Sequence, residues 1–179
     1  MASYEVQVSI AGGAFTNVYT GPGTSFTRFT GFGKTLVFRM RATDGEGNTS
    51  GWATAATRKL VAYQRNSKAL TYTGTWTKVT SSGSSGTGYQ YTTTLGKRAL
   101  VTFTGREVIY VAPKTTKSGY AKVYADGKLI GRFNLRAAST QLGRIISSKT
   151  WTTTAAHTMR VANDQASRRT SVDAFIVLQ

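Results

Sequence analysis

Apolar and polar residues alternate with period two along most of the chain, the pattern of strands that turn one face to a core. Tyr4, Val6, Val8 and Ile10 alternate with Glu5, Gln7 and Ser9. Ala11-Gly12-Gly13-Ala14 then supplies a turn, and Phe15 to Tyr19 returns. Leu36, Phe38, Met40 and Ala42 share one face of a further strand, opposite Val37, Arg39 and Arg41. Asp44-Gly45 and Gly47-Asn48 are turn dipeptides, and Leu60 to Tyr63 reads as a short closing strand. Gln64 to Lys68 is polar and aperiodic, which predicts a linker over 64–68.

Beyond the linker the pattern predicts strands at Leu70–Tyr72, Trp76–Val79, Tyr89–Thr93, Arg98–Thr104, Val108–Val111 and Tyr120–Ala125. It continues with Leu129–Leu135, Arg144–Ser147, His157–Val161 and Val172–Leu178. Ile145-Ile146 favours strand over helix in its stretch. Asp126-Gly127 between apolar strands is a two-residue hairpin signal, and Ser81 to Gly88 is a flexible Gly/Ser/Thr loop. Many short strands and no segment of helical period predict an all-β protein in two parts, 4–63 and 69–179.

Composition narrows the chemistry. The 179 residues contain no Cys and one His, which excludes disulfides, thiol catalysis and a multi-histidine zinc centre. No apolar run is long enough to insert in a membrane. The net charge of +16 attracts polyanions such as acidic polysaccharide, wall polymers or nucleic acid. The basic residues are scattered singly or in pairs (Arg58-Lys59, Lys97-Arg98, Arg168-Arg169), so nucleic-acid binding is expected only as a nonspecific effect. No signal peptide is visible at the start, and Met1-Ala2-Ser3 reads as a remnant of cloning on a piece of a longer protein.

The first part resembles the later strands of a fibronectin type III domain, on Tyr4 to Val8, Phe38 to Asp44 and Gly47-Asn48-Thr49-Ser50-Gly51-Trp52. The resemblance implies a partial sandwich that lacks its first two strands. The second part resembles the galactose-binding-like jelly rolls that serve as accessory modules in bacterial secreted and surface proteins. Tyr72 to Trp76, Val101 to Gly105, Val123 to Lys128, Ala156 to Val161 and Val172 to Phe175 carry it. It implies a β-sandwich jelly roll. Many sugar-binding relatives hold a calcium through acidic residues at the domain start and an Asp on the last strand. Asp173 is placed like that Asp, but Leu70-Thr71-Tyr72 offers no carboxylate, so neither metal nor cofactor is expected.

A Ser-His-Asp set could be assembled only from His157, Asp173 and an unspecified serine, with no Gly-x-Ser-x-Gly elbow to present the nucleophile. Glu107, Asp126, Asp164 and Asp173 are the candidate carboxylates for glycoside hydrolysis, but Asp126 belongs to a turn and Asp173 to the last strand. Gly83, Gly86 and Gly88 lack the following Gly-Lys-Ser/Thr of a phosphate loop. No enzyme is expected.

Aromatics carry the positive signal, because Tyr and Trp rings stack on the apolar faces of sugars. Tyr89 and Tyr91 share a strand face directly after the Gly/Ser loop, and Trp151 reads as a loop residue. Trp76 follows a turn, where core packing is the competing role. Lys117, with Lys114 and Lys97-Arg98, could contact carboxylate, phosphate or sulfate groups. The expected function is a carbohydrate-binding or targeting module, extracellular or at a bacterial or phage surface, holding a polysaccharide or wall glycan. The rival is a structural or adhesion subunit making protein contacts, through a second copy or a partner at the N-terminal segment.

Overall fold

A computed structural model describes residues 3–25 and 32–179; Met1 and Ala2, read above as a cloning remnant, lie outside them. The described residues form strands without helices: β1 Ser3–Ile10, β2 Thr16–Gly21, β3 Thr35–Thr43, β4 Ala53–Thr54 and β5 Arg58–Gln64. β6 Leu70–Tyr72, β7 Thr77–Thr80, β8 Gly88–Thr92, β9 Arg98–Lys114 and β10 Tyr120–Ala125 follow. The last are β11 Lys128–Asn134, β12 Gln141–Asn163, β13 Thr170–Val172 and β14 Ala174–Leu178. The chain divides into two compact units, Met1–Leu60 and Val61–Gln179.

In the first unit β2, β1 and β3 form an antiparallel sheet, with β4 and the start of β5 paired along β3. It is one layer among the described residues. The register sets Val6 beside Tyr19 and Met40, and Val8 beside Phe38, so the apolar alternation fills one face. Val8 and Leu36 are buried, while Met40 is 44% exposed. Tyr4, Val6, Tyr19, Phe38, Met40 and Ala55 are among the residues lining a cleft of about 560 Å³ on this face. The opposite face is polar. There Arg39 lies over Phe15 and Trp52, Arg41 lies over Trp52, and Arg41 pairs with Glu5 at 2.6 Å.

The second unit has two sheets. The larger runs β11-β10-β12-β9, with β6 and β14 following one another along the remaining edge of β9; the smaller runs β13-β8-β7. The core is built from the inward face of the larger sheet (Val101, Phe103, Tyr110, Val123, Met159, Val161, Phe175) together with Leu135 and with Val172 of the smaller one. The Tyr110 hydroxyl, from β9, donates to the Ser171 carbonyl on β13, a buried link between the two sheets. Tyr110 also stacks on its cross-strand neighbour Phe175.

Two long strands correct the expectation of separate short ones. Arg98–Thr104 and Val108–Val111 belong to one strand, β9, in which the buried positions change phase: Ala99, Val101 and Phe103, then Val108, Tyr110 and Ala112. The register with β12 shifts opposite that point, between Thr150 and Ala155, as a bulge does. Gly105 sits at the change, where a side chain would strike Val177 and the Leu178 carbonyl. For the same reason Arg144–Ser147 and His157–Val161 are parts of β12, and Trp151 lies in that strand rather than in a loop. Asp173 divides the expected Val172–Leu178 strand into β13 and β14.

Candidate functional site

The residues picked out by the sequence fall in different places. Tyr89 is buried, 7% exposed, on the central strand of the smaller sheet. Tyr91, two residues on, is half-buried with the Arg169 guanidinium 4.0 Å from its ring centre. The Arg169 backbone N–H donates to the carbonyl of the exposed Lys117, so the Tyr91 ring and the Lys117 backbone both contact Arg169. Trp76 packs against the core and on Tyr72, its indole N–H donating to the Thr73 carbonyl at 3.2 Å. Lys114 is half-buried at the end of β9, and Lys97 lays its aliphatic stem against Gly74.

Trp151 belongs to a different cluster, beyond the far end of β10, about 20 Å of strand from Lys117. Its ring stacks on His157 at 3.9 Å and meets Phe103 edge-on. Both Trp151 Nε1 and His157 Nδ1 contact Asp126 Oδ2, at 3.1 and 2.8 Å, and Thr158 N–H donates to Asp126 Oδ1. Asp126 and Gly127 both take positive φ, as the two-residue turn between β10 and β11 requires. Partial burial works against ionisation of Asp126, but the donors of Thr158, His157 and Trp151 outweigh it and hold the carboxyl below its ordinary range. His157 therefore pairs with Asp126, not with the Asp173 that a triad drawn from the sequence would use.

Asp173 sits under the Gly/Ser loop. Its Oδ1 accepts from Ser85 N–H at 2.9 Å, while Oδ2 and the nearby Ser84 Oγ are buried without completing a hydrogen bond. Burial pushes the carboxyl up to about 6, against the opposing pull of Ser85, Ser84 and the Arg65 charge. Gly88 closes this loop at φ +136°, where a Cβ would fall 1.9 Å from the Val79 carbonyl. Among the described residues no three His, Asp or Glu gather as a metal site.

Another constellation lies on the outward face of the larger sheet. β10 alternates Tyr120, Lys122 and Tyr124 outward with buried Ala121, Val123 and Ala125. Arg132 from β11 stacks over Tyr120 at 3.7 Å, and Arg160 from β12 over Tyr124 at 3.8 Å. Asp164 is ion-paired twice, to Lys122 at 2.7 Å and Arg132 at 2.5 Å. Those donors hold its carboxyl below the usual range, and the Asp164 carboxylate in turn raises Lys122. Lys122, Tyr124, Arg160, Arg98 and Leu95 help line a shallow cleft of about 260 Å³. The sequence reading missed this face. The Tyr-x-Lys-x-Tyr alternation of β10 signals its aromatics, but the arginines come from strands distant in sequence.

No protein-family model matches the sequence, and no curated protein does. Among solved structures, a family 35 carbohydrate-binding module from an environmental isolate matches with a TM-score of 0.50 and 13% identity, over 66% of this chain and 95% of that one. About two thirds of this chain has the β-sandwich jelly-roll fold of that module. A two-domain esterase active on acetylated mannans matches with a TM-score of 0.52 and 13% identity, over 65% of this chain and 35% of that one. The catalytic domain of a GH87 α-1,3-glucanase matches with a TM-score of 0.44 and 13% identity, over 66% of this chain. This chain spans 28% of the glucanase chain and about a third of the esterase.

Proposed function

We propose that this chain is a non-catalytic carbohydrate-binding module of a larger secreted or surface protein, which keeps an attached enzyme or particle near a polysaccharide. The observation that carries the reading is the fold match over 95% of a family 35 carbohydrate-binding module, against about a third of the esterase. Half-buried aromatics beside cations add to it. Tyr91 with Arg169 and Lys117 forms one candidate contact, and Trp151 beside Lys149 forms another. Tyr89 and Trp76 would serve by holding the surrounding framework.

The affinity expected of such shallow sites is micromolar to millimolar, about −4 to −8 kcal/mol. Titration of soluble mannan and other polysaccharides into the intact chain, with and without a chelator, tests it. Binding that persists under chelation and drops about tenfold in Tyr91→Ala or Trp151→Ala supports the reading; no binding to any polysaccharide defeats it.

The apolar cleft of the first unit favours a second reading, a structural or adhesion subunit of a phage tail or surface assembly. An exposed large apolar side chain such as Met40 forfeits roughly 1.5–3 kcal/mol of burial, and a partner protein or second copy would recover it. Light scattering on the intact chain distinguishes the two: concentration-dependent association without glycan binding supports the subunit.

A further inference from the structure

Around its shallow cleft the outward face of the larger sheet carries Arg98, Lys122, Arg132 and Arg160, with the carboxylate of Asp164 among them. That carboxylate is already committed to Lys122 and Arg132. Arg98 and Arg160 have no carboxylate partner among the described residues, and Arg160 Nε is out of water without a hydrogen-bond acceptor. A guanidinium stacked on a ring, with its Nε short of an acceptor, is poised for an anion. Its planar fork matches carboxylate or sulfate oxygens two at a time, and stacking on Tyr124 already fixes its orientation, lowering the ordering cost of binding.

The register spaces the unpaired charges for a repeating ligand. Tyr124 pairs with Arg160, and Arg160 with Leu100, while Lys122 pairs with Ala162, and Ala162 with Arg98. Arg160 and Arg98 are thus diagonal neighbours on adjacent strands, about 7–8 Å apart. The surface between them is the side of an open cleft rather than an enclosed pocket, and Leu95 and Tyr124 give it apolar area. A single small anion would use one fork and leave the rest; a chain with anionic groups on successive sugar rings would engage both forks and lay its rings along the apolar floor.

We propose that this sheet face binds an acidic polysaccharide, with Arg160 and Arg98 engaging carboxylate or sulfate groups on neighbouring sugars and Tyr124 supporting a ring and the Arg160 plane. The proposal rests on the carbohydrate-binding reading above and adds a ligand class and a site.

The test is calorimetric titration of the intact chain at about 0.15 M salt with polygalacturonate, dextran sulfate, neutral mannan and duplex DNA. Polygalacturonate or dextran sulfate should bind about tenfold or more tighter than mannan, and the preferred one identifies the anion. Arg98→Gln/Arg160→Gln should abolish that preference, and the exposed single change Arg98→Gln should weaken it severalfold. Lys78→Gln/Lys128→Gln removes the same charge elsewhere and should leave it nearly intact. An equal loss in that control, or duplex DNA binding as tightly with the same dependence on Arg98 and Arg160, overturns the proposal. If mannan binds and the acidic chains bind no better, this site assignment fails alone; if no polysaccharide binds, the carbohydrate reading fails with it.

Discussion

His157 Nδ1 lies 2.8 Å from Asp126 Oδ2, so the chain's one histidine is held by the carboxylate of a hairpin turn. The same oxygen accepts from the Trp151 indole, and the other from the backbone of Thr158. One side chain thereby joins the β10–β11 turn to two separate stretches of β12. Its positive φ adds a further constraint, because alanine tolerates that conformation less well than aspartate or asparagine.

Asp126→Ala is therefore expected to cost about 1–3 kcal/mol by denaturant unfolding, with Asp126→Asn losing less. The Trp151 indole N–H resonance reports the cause: it should exchange faster with solvent in the alanine variant. An unmoved resonance would show that Asp126 does not order Trp151. Among the described residues no serine hydroxyl bonds His157, so it should not serve as the base of a Ser-His-Asp hydrolase for ester or peptide substrates. Turnover that vanishes in a folded His157→Ala protein would refute this.

Asp173 gives a pH dependence of definite sign. Its carboxyl titrates near 6 when folded, against about 3.9 when unfolded. Between those values the folded state holds a proton that the unfolded state has released, so stability falls as pH rises through the window. Thermal unfolding from pH 4 to 7 should show a decline of a few degrees in Tm in the wild type. Asp173→Asn should flatten it, since an amide oxygen can still accept from Ser85 N–H. A Tm that rises over the same range would contradict the assignment.

Gly88 and Gly127 form a natural comparison. Both take positive φ, but a side chain at Gly127 would meet open space, while one at Gly88 would strike the Val79 carbonyl. Gly127→Ala should cost about 1–2 kcal/mol of backbone strain. Gly88→Ala should exceed 3 kcal/mol or prevent folding, because backbone must move; soluble yield and denaturation midpoints decide between them.

The Tyr110 hydroxyl ties β9 to β13 through the Ser171 carbonyl. Tyr110→Phe keeps the Phe175 stack and removes only that link, leaving a buried carbonyl short of a donor. A loss of about 1–3 kcal/mol is expected. No loss would show that another donor replaces it.

The sequence revealed those parts of the fold that depend on local alternation. β6 and β10 match the expected strands, and the Asp126-Gly127 turn follows from the conformations those residues accept. It did not reveal that β9 passes unbroken through Gly105 and Glu107, since the phase change there looks like two strands with a turn between. Tyr91 and Lys117 were both candidate contacts, but Arg169, which lies over the Tyr91 ring and bonds the Lys117 carbonyl, arrives through tertiary pairing. The stacking of Arg160 on Tyr124 is likewise set by strand order, which alternation alone does not encode.

The placement of β14 along β9 has a consequence for synthesis. Val108, Tyr110 and Ala112 lie buried on β9 where Ala174 to Leu178 pair with it, and those partners are synthesised only after all of β10 to β13. At roughly 5–20 residues per second, an apolar strand edge waits several seconds for its partner. Such an edge is a template for the wrong neighbour. Slow translation between β9 and β14, or an interruption before Ala174, should therefore favour aggregation of nascent chains over a partly functional fragment.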